Sequence, residues 1–451
     1  LAKAGKKVLV LEQRHILGGA AASDEIFPGF TFSVYSYVVS LFRPHIVREL
    51  DLTRHGYQVI PLECTFTPFP DGESLTRCGD AEATRREIAR FSPHDAEIAP
   101  RFSMAMTKMA SFIKHIIDAP SPDPASFRIS EIASLLGLGR RFKKMGADDR
   151  YLFTKLMTMS AVEFLDLWFE SDRLKGPISV SGIIGTYLGV RSPGTAYVLL
   201  HHYMGEIDGA FRSWGLSKGG TGGVSLACAR AARSFGAEIR TEAPVEKILV
   251  DEGCAAGVVV QGGHEIKCST VSSAADTQQT FFKMVGEQHL SPELAERVHD
   301  SRMALPLFMV YMAMKVDPAD LGVPNTNLFL MDYTMEEDYE ACYEGRLPEK
   351  PSVFISIASV KDPDSRNLAP EGYTNLQLMS IAPAHPQAWG VEKSPAAGGR
   401  YRHTVDYTTV RKDLQERMLR HVEEKMPGFI RNVEWVESAS PLTQERFTLS
   451  T

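Results

Sequence analysis

A short apolar run that ends in an acid constrains this chain more than any other feature. Residues 1–12 read LAKAGKKVLVLE. The opening LAKAG has the form of a helix end, with Gly5 as its stop. Residues 8–11 are continuously apolar after two lysines, as a parallel strand buried on both faces should be. Glu12 then stands at the strand's C-terminal end. Helix, apolar strand and acid, in that order, make the second half of a dinucleotide-binding unit, in which the acid accepts hydrogen bonds from the adenosine ribose hydroxyls. The glycine-rich turn of such a unit precedes the acid by about 20 residues, and counting back from Glu12 passes Leu1. Gly18 and Gly19 follow, and paired glycines let a backbone approach a phosphate or ribose with its N–H groups exposed. Alone, Glu12 reads equally as a solvated strand-end glutamate, and the glycines as a plain loop.

Beyond this point the chain alternates in blocks. ASDEIFPGFTFSVYSY alternates loosely as one or two strands. Residues 80–118 read as two helices, broken at Ser92-Pro93-His94-Asp95, which supplies helix-start residues. Residues 128–172 are mostly helical, and Ser192-Pro193 starts a short helix that carries His201 and His202. A glycine cluster at 219–223 opens a helix over 224–235. The segments AEIRTEA, VEKILV, AGVVV and HEIKCSTVSSAAD then read as a meander of short strands. Helices are predicted over 291–302 and 405–426, and strands over 306–316, 352–359, 374–382 and 433–436. This order predicts a nucleotide-binding layer interrupted by a second domain. At about 150 residues per domain, 451 residues make two or three domains. The expected segments are 1–75 and 211–290 for the nucleotide-binding layer and 76–210 and 291–440 for the second domain. Residues 441–451 would begin the return to the first.

Composition excludes several classes. Apolar residues at 44% and charged residues at 23% fit an ordinary globular protein. A net charge of −7 offers no basic excess for nucleic acid, and no such partner is expected. Cys64, Cys78, Cys228, Cys254, Cys268 and Cys342 form no CxxC and no Cys/His cluster of zinc spacing. No metal site is expected, and the six read as reduced, mostly packed thiols in a reducing compartment. The uncharged stretches 26–42 and 176–190 are shorter than the roughly 20 apolar residues of a spanning helix. Nothing in the sequence fixes an oligomeric state.

Longer stretches carry a resemblance. LAKAGKKVLVLEQRHILGGAA is similar to the amino-terminal flavin signature of the phytoene desaturase and amine oxidase-like flavoproteins. GFTFSVYSYVVSLFRPHIVRELDL, SGIIGTYLGVRSPGTAYVLLHHYMG and WGLSKGGTGGVSLACARAARSFGAEIRTEAPVEKI resemble the family of pyridine nucleotide-disulfide oxidoreductase domain-containing protein 2 and its bacterial relatives. The resemblance runs from Leu1 to about Thr443. It implies an α/β fold: a Rossmann-like FAD-binding domain, lacking its first strand and glycine turn, interleaved with an α+β substrate domain that has a mixed sheet and a helical insertion. It implies that Glu12 binds the FAD adenosine ribose. Gly18 and Gly19, with Arg14, would lie along the pyrophosphate and ribitol, and the backbone of Val245 would contact the adenine. The family's glycine turn and its C-terminal flavin-closing segment are expected outside these 451 residues, so the chain reads as the middle of a longer protein that alone holds FAD weakly. The expected location is the cytoplasm for a bacterial chain and the mitochondrion for a eukaryotic one.

A bound flavin would carry the redox chemistry, with the protein supplying orientation, electrostatics and a water-poor cavity. The lack of CxxC disfavours dithiol exchange. The expected reaction is phytoene dehydrogenase-like: hydride transfer from an apolar or lipid-like substrate to noncovalent FAD, with reoxidation by oxygen, a quinone or another carrier. Polar groups near the flavin are sought in Tyr35, Ser36, Tyr37 and Ser40 and in His201 and His202. His202 is the first choice of base, because imidazole titrates near neutral pH; His201 and Tyr35 stand behind it. Each also reads as an ordinary packed residue. LPLFMVYMAMKV at 305–316 and FTKLMTMSAVEFLDLWF at 153–169 read as walls of an apolar pocket, or as core in which Met fills gaps. The basic cluster at 140–144 reads as a solvated helix face or as a peripheral contact with an anionic membrane. Gly220-x-Gly222-x-x-Ser225, with Glu242 beyond it, nearly matches a second dinucleotide fingerprint. AFRSWGLSK before it forms no apolar strand and its third glycine is a serine, so a tight helix entry is expected instead. Two other functions stay open: a flavin-binding regulatory or interaction protein with little turnover, and an amine oxidase-like enzyme.

Overall fold

The computed structural model describes residues 1–207, 210–211, 214–301, 304–317, 320, 327–330, 335–392 and 405–448. A single turn, Ala2–Ala4, is closed by Gly5 at φ 75°, a left-handed backbone that glycine adopts without steric cost. It feeds β1 (Leu9–Leu11) and then an antiparallel ribbon of β2 (Ser23–Phe27) and β3 (Phe30–Ser33). A hairpin of β4 (Cys64–Pro68) and β5 (Ser74–Cys78) follows. This hairpin corrects the expectation of six reduced thiols. Its register sets Cys64 directly opposite Cys78, with Cα atoms 4.0 Å apart, and the two are joined as a disulfide. Of the four thiols that remain, Cys342 is buried and Cys254 exposed.

The helical region comes next. In α1 (Ala81–Ala89) the Asp80 side chain accepts from Glu82 N and Ala83 N, and in α2 (Pro93–Ile117) the Ser92 hydroxyl accepts from Asp95 N. Each cap satisfies N–H groups that a first turn leaves free. α3 (Ile129–Lys144), α4 (Ala147–Leu156), two shorter helices at Ala161–Asp166 and Asp172–Ser179, and α5 (Thr195–His202) complete the region. Phe102, Met106, Met109, Phe112 and Leu199 pack there with Phe153, Leu156, Phe164, Leu165 and Phe169. The apolar stretch at 153–169 therefore packs on neighbouring helices. Asp95, fully buried, accepts from Glu170 N and Ser171 N at 2.9 Å each and fastens α2 to the later helices.

β6 (Gly215–Ser217) leads into α6 (Gly222–Ser234), and β7 (Glu238–Arg240) returns parallel to β1, with Leu9 opposite Glu238. An antiparallel meander follows, Val245–Asp251, Cys254–Val260 and His264–Lys267. Of the predicted strand HEIKCSTVSSAAD, only His264–Lys267 pairs. The large sheet is built by β8 (Leu307–Met314), β9 (Asn327–Leu330), β10 (Val353–Ser356), β11 (Thr374–Ile381) and β12 (Val433–Ala439). They join β4 and β5 in the order β12-β8-β11-β10-β9-β4-β5. The pairs are antiparallel except β9 with β4, so the sheet is mixed. α7 (Val405–Lys425) precedes β12, and α8 (Pro441–Thr448) follows it.

Strand alternation gives this sheet two different faces. Phe308, Val310, Met312, Met314, Leu376 and Leu378 pack with Leu414, Met418 and Val422 of α7. Met309, Tyr311, Ala313 and Met379 point the other way, into Phe30, Phe32, Val34 and Tyr35. Both faces of β8 are thus covered, which is why Leu307–Met314 is apolar throughout. It is core in which methionine fills space, not a pocket wall.

Candidate cofactor site

Glu12 is half-buried just beyond β1. Its N–H donates to Arg240 O, and Ala243 N donates to Glu12 O, each at 2.9 Å. The second bond brings Val245, two residues on, to the same end of the β1–β7 pair. One Glu12 carboxylate oxygen accepts from Arg14 N at 2.8 Å. The Arg14 guanidinium reaches Asp24 at 3.1 Å and lies over the Phe447 ring, 4.2 Å from its centroid. Its Nη1 is buried and meets no partner among the described residues. An unpaired buried guanidinium N–H is costly, and it fits a position meant for an anionic group.

The glycine pair divides its work. Gly18 has φ 121° and Gly19 φ 54°. A Cβ on Gly18 would sit 2.6 Å from Ala21 O and 2.7 Å from Ser225 Oγ, whereas a Cβ on Gly19 would meet nothing within 4 Å. Gly18 is a packing glycine; Gly19 borders open space. Ser36 N donates to Ala20 O at 3.0 Å and holds the Tyr35 segment beside the pair. The buried Tyr35 ring meets Phe447 edge-on, with centroids 6.5 Å apart, so Arg14 and Tyr35 share one aromatic ring. Burial pushes the Tyr35 phenol well above the ordinary tyrosine range, and the charges of Arg14 and Arg446 only partly oppose it. Tyr35 therefore keeps its proton and is a donor, not a base. Burial raises Tyr37 in the same way.

His201 and His202 fall elsewhere. They end α5, where His202 Nδ1 lies 3.0 Å from Val198 O and its ring packs 6.0 Å from Trp214. The His201 ring stands perpendicular to it at 5.6 Å. Burial pushes both imidazoles below the usual histidine value. The neighbouring His202 and Arg43 lower His201 further, while backbone bonds to Val198 and Ser181 oppose the effect at His202. Both are neutral at neutral pH and able to accept a proton. Among the described residues no hydrogen bond or ring contact joins them to Arg14, Gly18, Gly19 or Tyr35.

The second glycine cluster is filled from within. Gly219 N donates to Asp362 Oδ2 at 2.7 Å, Thr221 N to Ser33 Oγ at 3.0 Å and Gly222 N to Ser23 Oγ at 2.9 Å. A Cβ on Gly220 would lie 2.4 Å from Ser23 Oγ, and one on Gly222 would lie 2.6 Å from Ser23 N. The cluster is a helix entry packed against the β2–β3 ribbon, not a phosphate cradle. A strand does precede it, contrary to expectation: β6 is wholly buried, but it is short and antiparallel to Val59–Pro61. Beside this turn a groove of about 600 Å³ is lined by His15, Lys218, Arg230, Arg233, Thr241 and others.

Side chains of the large sheet tie β3 down. Tyr311 Oη donates to Val34 O, Gln377 Nε2 to Ser33 O at 2.5 Å and Asn375 Nδ2 to Thr31 O at 3.0 Å. Thr67 and Ser356 alternate with Phe66 and Ile355, which pack on the α7 side, so they sit on this same face. Their hydroxyls are buried without partners among the described residues. None of these residues stands out in the sequence at first. The signal is Asn375 and Gln377 alternating with Leu376 and Leu378, a polar stripe in a strand that is otherwise core.

No family model matches the chain. It is 30% identical over 410 residues to pyridine nucleotide-disulfide oxidoreductase domain-containing protein 2 of Rattus norvegicus, covering 84% of this chain and 70% of that one. It is 26% identical over 470 residues to all-trans-retinol 13,14-reductase of Homo sapiens, covering 99% and 72%. Among solved structures it is similar to a putrescine oxidase variant with a TM-score of 0.58 at 14% identity, covering 100% and 82%. At that identity the likeness speaks for the fold alone.

Proposed function

Since the chain belongs to the family of pyridine nucleotide-disulfide oxidoreductase domain-containing protein 2, among the phytoene desaturase-like oxidoreductases, we propose that it binds FAD noncovalently and takes a hydride from an apolar, lipid-like substrate. The electrons would leave to oxygen, a quinone or another carrier. The observation that carries the reading is the unpaired, buried Arg14 Nη1 next to Glu12 and the open backbone at Gly19.

FAD supplies the two-electron acceptor; the protein supplies position and electrostatics. The Glu12 carboxylate oxygen not engaged by Arg14 N would take the ribose hydroxyls. Arg14 would face the pyrophosphate, held in place by Asp24 and Phe447. A guanidinium fixed this way meets phosphate oxygens with charge-assisted bonds. Gly19 allows close backbone approach, and Val245 stands on the Glu12 side for the adenine. Tyr35, with its proton retained, is suited to donate a hydrogen bond at the redox end. His202 or His201 acts as a base only for a substrate that extends to α5. The substrate class is supported by the name of one relative, all-trans-retinol 13,14-reductase, since retinol is an apolar polyene alcohol.

The test is anaerobic mixing of the FAD-loaded protein with a retinoid or carotenoid. The expected result is bleaching of the flavin's visible absorbance, restored by oxygen or a quinone. A flavin that bleaches with amines and not with polyenes replaces this reading with the amine oxidase one. A flavin that bleaches with neither favours the regulatory protein.

A further inference from the structure

α3 is apolar on two opposite sides, and only one of them is covered. At 100° per residue, Leu135, Leu138 and Phe142 share one face. Leu138 and Phe142 pack against the helical core. Ile129, Ile132, Ala133 and Leu136 lie on the opposite face, which continues into Arg140, Lys143 and Lys144. On that face Ile129 is 86% exposed, Leu136 57% and Ile132 41%, and Phe127 in the preceding loop is 94% exposed. The stripe is about 24 Å long at 1.5 Å per residue.

Its charge is as one-sided as its hydrophobicity. Between residues 127 and 145 stand Arg128, Arg140, Arg141, Lys143 and Lys144, and one acid, Glu131. That gives +5 − 1 = +4 in a chain whose net charge is −7. Glu131 lies off the stripe, and its carboxylate accepts from Asp123 N at 3.0 Å. No carboxylate therefore stands among the exposed apolar side chains and the basic cluster of α3. Single protruding side chains such as Phe127 and Ile129 are knobs, which suit a soft surface better than a complementary groove.

We propose that α3 and the loop before it dock the protein on an anionic lipid surface, with the helix lying in the membrane plane. Phe127, Ile129, Ile132 and Leu136 would enter the headgroup–acyl boundary, and the long basic side chains would bend up to the phosphates. No helix among the described residues is long and apolar enough to cross a membrane, so the contact is one of lying on, not spanning. The inference stands on this surface and not on the redox reading.

The experiment is cosedimentation of the whole protein with vesicles of mixed phosphatidylcholine and phosphatidylserine, against pure phosphatidylcholine. Wild-type protein should pellet with the anionic vesicles, and added salt should release it. The double change Phe127→Ser with Ile129→Ser should weaken partitioning about tenfold or more. Replacing Arg140, Arg141, Lys143 and Lys144 by Gln should weaken it roughly a thousandfold, at about one kcal/mol per charge. All these side chains are on the surface, and circular dichroism checks that helix content is kept; if the apolar variant misfolds, the charge variant decides. Protein that stays in solution with both vesicles, or variants that bind like wild type, overturn the proposal and leave the stripe to an acidic protein partner. Neither arm uses flavin or substrate, so failure here is distinct from failure of the redox reading.

Discussion

Two glycine turns in this chain look alike in sequence and differ in what surrounds them. At the second, the N–H groups of Gly219, Thr221 and Gly222 are taken by Asp362, Ser33 and Ser23. A Cβ on Gly220, Gly222 or Gly223 would strike a neighbour at 2.4, 2.6 or 2.6 Å. At the first, Gly19 borders open space, and Arg14 close by keeps a buried N–H unpaired. At one turn the backbone donors are taken by the protein's own side chains; at the other a buried donor close by stays unpaired among the described residues. The spacing of glycines does not separate these cases. The state of the neighbouring donors does.

The largest expected effect tests the packed turn. Gly222→Ala drives a Cβ against the backbone of Ser23, and overpacking of this kind costs about 3 kcal/mol at its upper end. Gly19→Ala meets no neighbour and costs about 1 kcal/mol for its left-handed backbone, yet should weaken FAD binding. Urea unfolding of both variants checks the stabilities, and flavin titration the affinities. Equal stability losses would erase the distinction between the turns.

Arg14→Leu is next. Removing a charged hydrogen-bond donor from a phosphate costs about 2 kcal/mol, or roughly 30-fold in the Kd for FAD, measured by flavin fluorescence. Ser33→Ala is smaller and of the other kind. It removes the acceptor of Thr221 N at the entry to α6, worth about 1 kcal/mol of stability, and should leave FAD affinity unchanged. If Ser33→Ala lowers FAD affinity as much as Arg14→Leu does, the two turns form one site.

The contrast also marks how far the sequence could be read. The run at residues 8–11, Glu12 and the two glycines lie within a dozen residues, so local pattern exposes them. Helix starts were equally legible, because Ser92 and Asp80 cap from next door in the chain. The partners that decide what each turn does are remote: Ser33 and Thr221 are 188 residues apart, Gly219 and Asp362 143. Phe447 brings Arg14 and Tyr35 together across most of the chain. The cysteine pairing was missed for a related reason. Nothing in the spacing of Cys64 and Cys78 announces it until the hairpin register sets them opposite.

The smallest effect probes the footing of the packed turn. Lys361 is buried next to Asp362, the acceptor of Gly219 N. Burial pushes its amine down from 10.5 to about 8, with the charge of Glu63 partly opposing. The unfolded chain keeps the ordinary lysine value, so between about pH 8 and pH 10.4 it binds more protons than the native state does. Stability should rise with pH through that window. Partial solvent access limits the rise to about 1 kcal/mol. Lys361→Met keeps the apolar stem and removes the charge. It should flatten the rise above pH 8, as read by urea unfolding at the two ends of the window. A variant with the wild-type pH dependence would mean that the amine is fully hydrated, and that the second turn rests on a looser base than its close-packed glycines require.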